Sequence, residues 1–345
     1  MAIRTAPCAL FLLAALALWL RGVPEQVRAD DGSMMMETIR RGLEVREQTL
    51  DELSLQLESR TKTDAEYADW FAKQWLAHVG LPLEPAAPES FSRYELRKAD
   101  QAWYYSEAWG DSIGALAEPL LEISVTGGQY VRLHRPGDAE NGRVTADTGP
   151  AEEVQFEPPI MGFLLLRDGT KPWSVRMVEP GWRWIGTEEW GGHSCQVLAL
   201  EPQGDQEGAL RLWIDAECGF AVRRATLYWP GSPTEVRMDT TVTSLVQDAT
   251  GTWLPTGVVT QEYSREAGAE SYGKHVVIRE TVSEAQYQRR ETLDASAFEI
   301  AVPDGTPVYD ATTDQVHVLG VGTGEEGEGE PLQPGDGDGT QRGDD

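Results

Sequence analysis

The stretch Gly192-His193-Ser194-Cys195-Gln196 brings together an imidazole, a hydroxyl and a thiol, which are side chains that covalent catalysis uses. In the nucleophile-elbow motif, the serine lies between two glycines on a sharp turn from a strand into a helix. Gln196 stands where the second glycine is needed, and the residues after it have a strand pattern. We interpret the stretch as a turn that leads into a hairpin with a structural cysteine, and we predict no catalytic residue.

Two glycine-rich stretches near the C-terminus match ligand-binding motifs in residue spacing but lack the other features that those motifs need. Residues 322–327 have the glycine spacing of a dinucleotide site, but no helix pattern follows and two glutamates there would repel a pyrophosphate. Residues 336–340 begin like a calcium loop, but the glutamate that completes such a loop is missing. We therefore predict no cofactor.

The five histidines are spread along the chain, and only His193 has a cysteine, Cys195, as a near neighbour. A zinc site needs three or four converging ligands, so no metal is predicted. Acidic pairs such as Glu188-Glu189 are too numerous for any one of them to be chosen as a glycosidase pair.

Tryptophan is the more informative residue type, since the chain has twelve. Seven lie in the region with a strand pattern: Trp173, Trp182, Trp184, Trp190, Trp213, Trp229 and Trp253. They are compatible either with a packed core or with a concave apolar face that holds a hydrophobic ligand.

The elements that would position these side chains begin with an amphipathic helix over 34–48, in which Met36, Ile39 and Leu43 recur at helical spacing. Leucines 53, 55 and 57 then alternate with polar residues, which predicts a half-buried strand. Asp64 is placed to cap a helix that Gly80 ends, so we predict a helical insertion over about 64–80.

From Ser90 onward the sequence reads as strand candidates separated by turns, with Gly127-Gly128 as one hairpin turn. The candidates are 91–97, 102–108, 120–125, 130–134, 182–187, 195–200, 210–214, 220–229, 235–247, 253–263 and 274–284, and the apolar run 160–166 is either a buried strand or a short helix. Short turns join antiparallel neighbours, so the predicted fold class is α+β, mainly β, built on an antiparallel sheet.

The two ends of the chain differ in composition from the region between them. Residues 1–29 have the layout of a signal peptide, with an apolar run that Arg21 interrupts and a cleavage site after Ala29; an uncleaved anchor is the alternative. Residues 321–345 are rich in Gly, Glu and Asp and predict a disordered acidic tail, which leaves 30–320 as one β-rich domain with no membrane-spanning segment. The net charge of −28 makes nucleic acid an unsuitable partner.

If the leader is removed, Cys195 and Cys218 are the two cysteines that remain. Two strand patterns separated by a turn over 202–209 would bring them together, and exported proteins favour disulfides. We predict a disulfide between them, with two buried free thiols as the alternative.

The order of elements resembles the outer-membrane lipoprotein-sorting (LolA-like) superfamily. The resemblance rests on Leu212-Trp213-Ile214-Asp215 with Gly219 and Arg223, on Trp253-Leu254-Pro255, and on Phe298-Glu299-Ile300 followed by 303–310. It implies an incomplete, strongly curved barrel covered by helices, whose hollow holds acyl chains or a partner's apolar peptide. No ligand-contacting residue of that superfamily matches a particular position here.

Together these patterns predict an exported protein of the periplasm or cell envelope that is not an enzyme. The first hypothesis is that it binds a lipid or lipoprotein acyl chain in the hollow of the curved sheet. The second is that the same sheet binds an envelope protein partner, as an interaction or sensor module without lipid.

Overall fold

The computed structural model describes residues 25–50, 53–83, 87–99, 102–113, 116, 118–135, 143–151, 167–168, 171–202, 208–266, 272–289 and 293–319. The apolar run of the predicted leader, the apolar residues 160–166 and the predicted acidic tail lie outside these ranges. No helix among the described residues has both the length and the apolar character needed to span a bilayer.

The described residues form three α-helices and seventeen strands. The helices are α1 (Glu25–Thr49), α2 (Ala65–Val79) and α3 (Trp173–Arg176). The strands are β1 (Leu53–Thr63), β2 (Glu89–Ala99), β3 (Ala102–Gly110), β4 (Leu121–Thr126), β5 (Gln129–His134), β6 (Thr145–Pro150), β7 (Arg167–Asp168), β8 (Lys171–Pro172), β9 (Trp182–Trp190), β10 (His193–Leu200), β11 (Leu210–Asp215), β12 (Ala221–Tyr228), β13 (Val236–Gln247), β14 (Trp253–Tyr263), β15 (Val277–Arg289), β16 (Pro307–Asp310) and β17 (Gln315–Val318).

Fifteen of these strands form one curved, open sheet in the order β17-β16-β6-β5-β4-β3-β2-β1-β15-β14-β13-β12-β11-β10-β9. Neighbours are antiparallel except β16, which runs parallel to β6. Strand β1 lies in the middle between β2 and β15, so one meander runs outward on each side of it. The predicted fold class, mainly β with a curved antiparallel sheet, is confirmed.

The core lies between α1 and one face of the sheet, which we call the inner face. Leu53, Leu55 and Leu57 point to this face and are fully buried, as their alternation predicted. Ile39 and Leu43 of α1 are buried against the same cluster. Burying each such side chain contributes about 2 kcal/mol, so the helix and the central strands stabilise each other.

Helix α1 is fixed to the sheet at two further points. Arg46 donates a hydrogen bond of 2.5 Å from Nη2 to the carbonyl oxygen of Trp253, and burial lowers its pKa to about 10. At Gly42 the ring of Phe220 approaches so closely that an added Cβ would lie 2.3 Å from it. A side chain at position 42 is therefore excluded unless the ring moves.

The helix over 34–48 is present but begins earlier, at Glu25, and so runs through the predicted cleavage point after Ala29. Cleavage there stays a prediction. The helix after Asp64 and the turn at Gly127-Gly128 are present, and both turn glycines have positive φ, as a two-residue hairpin requires. Strands β6, β7, β8, β16 and β17 were not predicted.

Candidate functional site

The central part of the inner face carries a row of hydroxyl side chains. Thr61, Thr281, Thr260 and Thr240 lie opposite one another across β1, β15, β14 and β13. We call these four residues, with the neighbouring pair Ser59 and Ser283, the hydroxyl band. The band follows the buried leucines of β1, so along this strand the inner face changes from aliphatic to hydroxyl-bearing side chains.

The hydroxyls of the band bond to one another. The oxygen-to-oxygen distance is 2.9 Å between Thr61 and Thr281, and it is 3.1 Å between Thr240 and Thr260. Ser59 bonds to Ser283 at 2.7 Å. In each pair one hydroxyl donates to the other, so every hydroxyl of the band takes part in a hydrogen bond and would keep it beneath an apolar group.

The band is accessible at its β1 and β15 end. Thr240 and Thr260 are buried, whereas Thr61 and Thr281 are half-buried. On the β2 side, Ser92 faces Ser59, and Trp109 of β3 faces Ser92 on the same inner face. Trp109 is 48% exposed, so a large aromatic surface lies open beside the accessible end.

Helix α2 starts where β1 leaves the band and is anchored at its first turn. Asp64 accepts a hydrogen bond of 2.8 Å from the backbone N–H of Tyr67, the usual contact of a helix N-cap. Tyr67 and Trp70 pack against Tyr272 with ring centroids 5.5 and 5.4 Å apart. Burial raises the pKa of Tyr67. The start of the helix is thus fixed to the loop between β14 and β15.

The rest of α2 and the loop after it leave a continuous set of large apolar side chains open to solvent. These residues, which we call the apolar stripe, are Phe71, Trp75, Leu76, Val79, Leu81 and Leu83, and they are between 39% and 64% exposed. No other described helix or strand packs along α2 over more than a residue or two. Soluble proteins rarely leave so many large apolar side chains exposed together unless they bind something.

A second cluster of interest lies on the opposite, outer face around the predicted cysteines. The register of β10 and β11 pairs Gln196 with Ile214 and so places Cys195 beside Asp215. The turn after β11 folds back, and the backbone N–H of Cys218 donates a hydrogen bond of 3.1 Å to Asp215 Oδ1. Both cysteines therefore adjoin the same carboxylate.

Arg223 completes this cluster because of a β-bulge. The register of β11 and β12 shifts between Trp213 and Ile214, which leaves Arg223 as the extra residue of the bulge. Its Nη2 lies 2.9 Å from Asp215 Oδ2 and donates a hydrogen bond of 3.2 Å to Cys218 Sγ. His193 Nδ1 lies 3.1 Å from the same carboxylate oxygen.

The cluster shifts the pKa values of its members in opposite directions. Burial alone would raise the pKa of Asp215, but hydrogen bonds from Cys218 and Arg223 outweigh it and lower the pKa. Burial, with the nearby Asp215 charge, raises the pKa of Cys195 to about 11 and also raises that of Cys218. Both sulfurs are thus neutral thiols at neutral pH, unlike the activated thiolate of a cysteine nucleophile.

The described residues contain one group of possible metal ligands, His193, Asp215 and Cys218, whose ligand atoms lie within 4.8 Å of one another. The sequence did not predict this convergence, since Asp215 and Cys218 reach His193 only through the hairpin and its turn. The guanidinium of Arg223 already lies among the three groups. This arrangement suits an arginine-centred network better than a cation site.

Cys195 and Cys218 are both buried and both free in the structure. The hairpin that was predicted to bring them together is present, with β10 antiparallel to β11. Asp215, rather than Cys218, is the residue beside Cys195. The disulfide between them stays a prediction.

Comparisons with known proteins find matches only among solved structures, all at low sequence identity. No family model matches the chain, and no curated protein matches it. A DUF1329 family protein from Desulfovibrio piger is 11% identical, with 76% of this chain and 97% of that chain covered and a TM-score of 0.42. A putative outer membrane lipoprotein-sorting protein domain from Vibrio parahaemolyticus is 10% identical, with 78% and 97% covered and a TM-score of 0.42.

A third solved structure, the MucA/MucB complex of Pseudomonas aeruginosa, is 10% identical, with 76% of this chain and 95% of that chain covered and a TM-score of 0.24. These similarities say nothing about a ligand of this chain.

Proposed function

We propose that this protein is an exported, non-enzymatic binding protein that holds the acyl chain of a lipid or lipoprotein. The observation that carries the proposal is the exposed apolar stripe of α2, a helix that begins two residues after β1 ends. We place the acyl chain between the stripe, Trp109 and the open end of the hydroxyl band at Thr61 and Thr281.

The chemistry of these surfaces favours an apolar occupant. The stripe offers aliphatic and aromatic side chains, and the band offers hydroxyls that are already paired with one another. Each methylene that moves from water to such a surface contributes about 0.8 kcal/mol, so affinity should rise with the length of the acyl chain.

A fluorescent acyl probe titrated into the purified protein tests this proposal. The double substitution Trp75→Ser and Leu76→Ser removes the middle of the stripe and should weaken probe affinity at least tenfold. Val282→Ser is the matched control, because Val282 is 43% exposed but lies opposite Arg60 on the outer face. It should leave the affinity unchanged.

If wild type shows no saturable probe binding, the acyl proposal fails. Equal loss of affinity in the stripe variant and in Val282→Ser would also contradict it, because the effect would then not depend on the stripe. A truncation after Leu319 that removes the predicted acidic tail should leave the affinity unchanged.

A protein partner is the second candidate, and the edge of the sheet favours it. Strand β17 is the last strand of the described sheet and exposes Val316 and Val318 beside an edge to which another strand can add. Val316→Lys together with Val318→Lys should abolish capture of such a partner and leave acyl-probe binding intact. Unchanged capture of the partner by this variant would contradict the edge site.

A further inference from the structure

Two arginines share one tryptophan ring where the chain leaves β12 and turns into β13. The guanidinium carbon Cζ of Arg237 lies 5.3 Å from the centroid of the Trp229 ring, and Cζ of Arg265 lies 5.8 Å from the same centroid. Both distances are those of a cation–π contact. Two positive charges on one ring repel each other, so the arrangement is favoured by negative charge nearby.

No acid of the described chain supplies that negative charge through an ion pair. Other cations of this region do have acids within ion-pair distance, namely Arg224 with Asp239, Lys274 with Glu66 and Arg279 with Glu262. Neither Arg237 nor Arg265 has such a partner among the described residues. Glu235, two residues before Arg237, instead accepts a hydrogen bond of 2.7 Å from the backbone N–H of Glu266. The two arginines thus stay unpaired in a chain that has a large excess of acids.

The same cluster holds two buried donors without an acceptor. They are Nε1 of Trp229 and Nε of Arg265, and neither has a hydrogen-bond partner among the described residues. Arg265 makes only a long hydrogen bond of 3.4 Å, from Nη2 to the carbonyl oxygen of Pro230. Buried N–H groups without an acceptor are unfavourable and rare in folded proteins. An anion with several oxygens would offset both charges and supply the missing acceptors.

The backbone fixes the positions of both arginines. The register of β12 and β13 shifts after Leu227, which leaves Arg237 as the extra residue of a β-bulge. Arg265 lies between two residues whose backbone N–H groups are hydrogen-bonded, at 3.0 Å for Ser264 and 2.7 Å for Glu266. The side chain of Arg237 is exposed, so it can turn to admit a ligand from solvent.

We propose that Arg237, Arg265 and Trp229 form a binding site for a phosphate group, carried by a lipid headgroup or by a small soluble phosphate ester. Guanidinium groups bind phosphate through paired, charge-assisted hydrogen bonds. A phosphate has more oxygens than a carboxylate with which to meet donors from separate segments of the chain. The inference goes beyond the proposed acyl binding, because the site needs no acyl chain.

Isothermal titration of the full-length protein with glycerol phosphate at low ionic strength tests the site. Wild type should bind saturably, and Arg237→Met and Arg265→Met should each weaken the affinity about tenfold, since each removes a charge-assisted contact. Trp229→Phe keeps a ring but removes the Nε1 donor, so it should also weaken binding. Arg132→Met is the matched control, because Arg132 Cζ lies 5.2 Å from the ring centroid of Tyr130 in the other half of the sheet. It should leave the affinity unchanged.

Two further ligands identify the source of the phosphate. A monoacyl glycerol phosphate, used below its critical micelle concentration, should bind more tightly than glycerol phosphate if the group belongs to a lipid, whereas equal affinities assign the site to a soluble ester. Monoacylglycerol, which has the acyl chain without the phosphate, should bind equally to wild type and to both arginine variants. If the proposed acyl binding fails, monoacylglycerol does not bind while glycerol phosphate still does, so the two proposals fail separately.

Two results would overturn the phosphate site. One is wild type that binds neither glycerol phosphate nor monoacyl glycerol phosphate saturably. The other is an affinity that is unchanged in Arg237→Met and Arg265→Met, or that falls equally in Arg132→Met, because binding would then not depend on this cluster. Circular dichroism and the urea midpoint report whether each variant is folded, and the exposed position of Arg237 makes Arg237→Met the variant to use if Arg265→Met is not.

Discussion

The substitution Gly42→Ala in α1 has two opposing effects on the free energy of unfolding. Alanine is favoured over glycine inside a helix by about 1 kcal/mol. The new Cβ, however, would lie 2.3 Å from Cδ2 and Cε2 of Phe220, about 1 Å inside ordinary contact. Phe220 has a φ of 60°, an unfavourable conformation for a bulky residue, so its backbone has little freedom to adjust. Overpacking of this kind costs about 1–3 kcal/mol.

An approach of 2.3 Å is severe, so the cost should lie in the upper part of that range, about 2–3 kcal/mol. After the helix gain of about 1 kcal/mol, we expect Gly42→Ala to lower the free energy of unfolding by about 1–2 kcal/mol, measured by urea denaturation with an unchanged m-value. Gly32→Ala is the control in the same helix, because nothing lies within 4 Å of its added Cβ; it should cost nothing. Combining Gly42→Ala with Phe220→Ala should cost less than the sum of the two single changes. The reasoning is refuted if Gly42→Ala proves as stable as wild type.

Two substitutions and one sequencing measurement test separate parts of the protein. Asp215→Asn leaves Arg223 buried without its carboxylate and should cost about 3 kcal/mol at neutral pH by urea unfolding. The pKa of Asp215 is lower in the folded protein than its unfolded value of 3.8. The stability difference between wild type and Asp215→Asn should therefore have its full size above pH 3.8 and should shrink as the pH falls through the folded pKa. A stability difference that does not change with pH would contradict this. Asp64→Ala removes the cap of α2 and should cost about 1 kcal/mol, with weaker acyl-probe binding; unchanged stability and affinity would show that the cap does not hold the helix in place. N-terminal sequencing of the exported protein should read from Asp30, and an intact Met1 in a membrane fraction would defeat the predicted cleavage.

The elements with a strong period were predictable from the sequence. Strand β1 was predictable because its first inward positions, Leu53, Leu55 and Leu57, are all aliphatic. The helix from Ala65 to Val79 followed from its cap and its glycine stop. Local chemistry decided these elements, and distant contacts did not alter them.

The rest depended on contacts between distant residues. After Leu57 the inward positions of β1 become Ser59 and Thr61, so polarity no longer tells the inner face from the outer one. The convergence of Asp215 and Arg223 needs the bulge between β11 and β12, which has no signal in the sequence. The parallel pairing of β16 with β6 joins segments far apart in the chain, and four-residue strands have too few residues to show a period.

Mass spectrometry of organic extracts from the exported protein, purified without added lipid, tests acyl binding most directly. Wild type should release a lipid or lipoprotein-derived acyl species in near-stoichiometric amount. The Trp75→Ser and Leu76→Ser double variant should release little, and Val282→Ser should release as much as wild type. Extracts of wild type that hold no more acyl species than those of an unrelated exported protein, or equal amounts from wild type and the stripe variant, would contradict the proposed function.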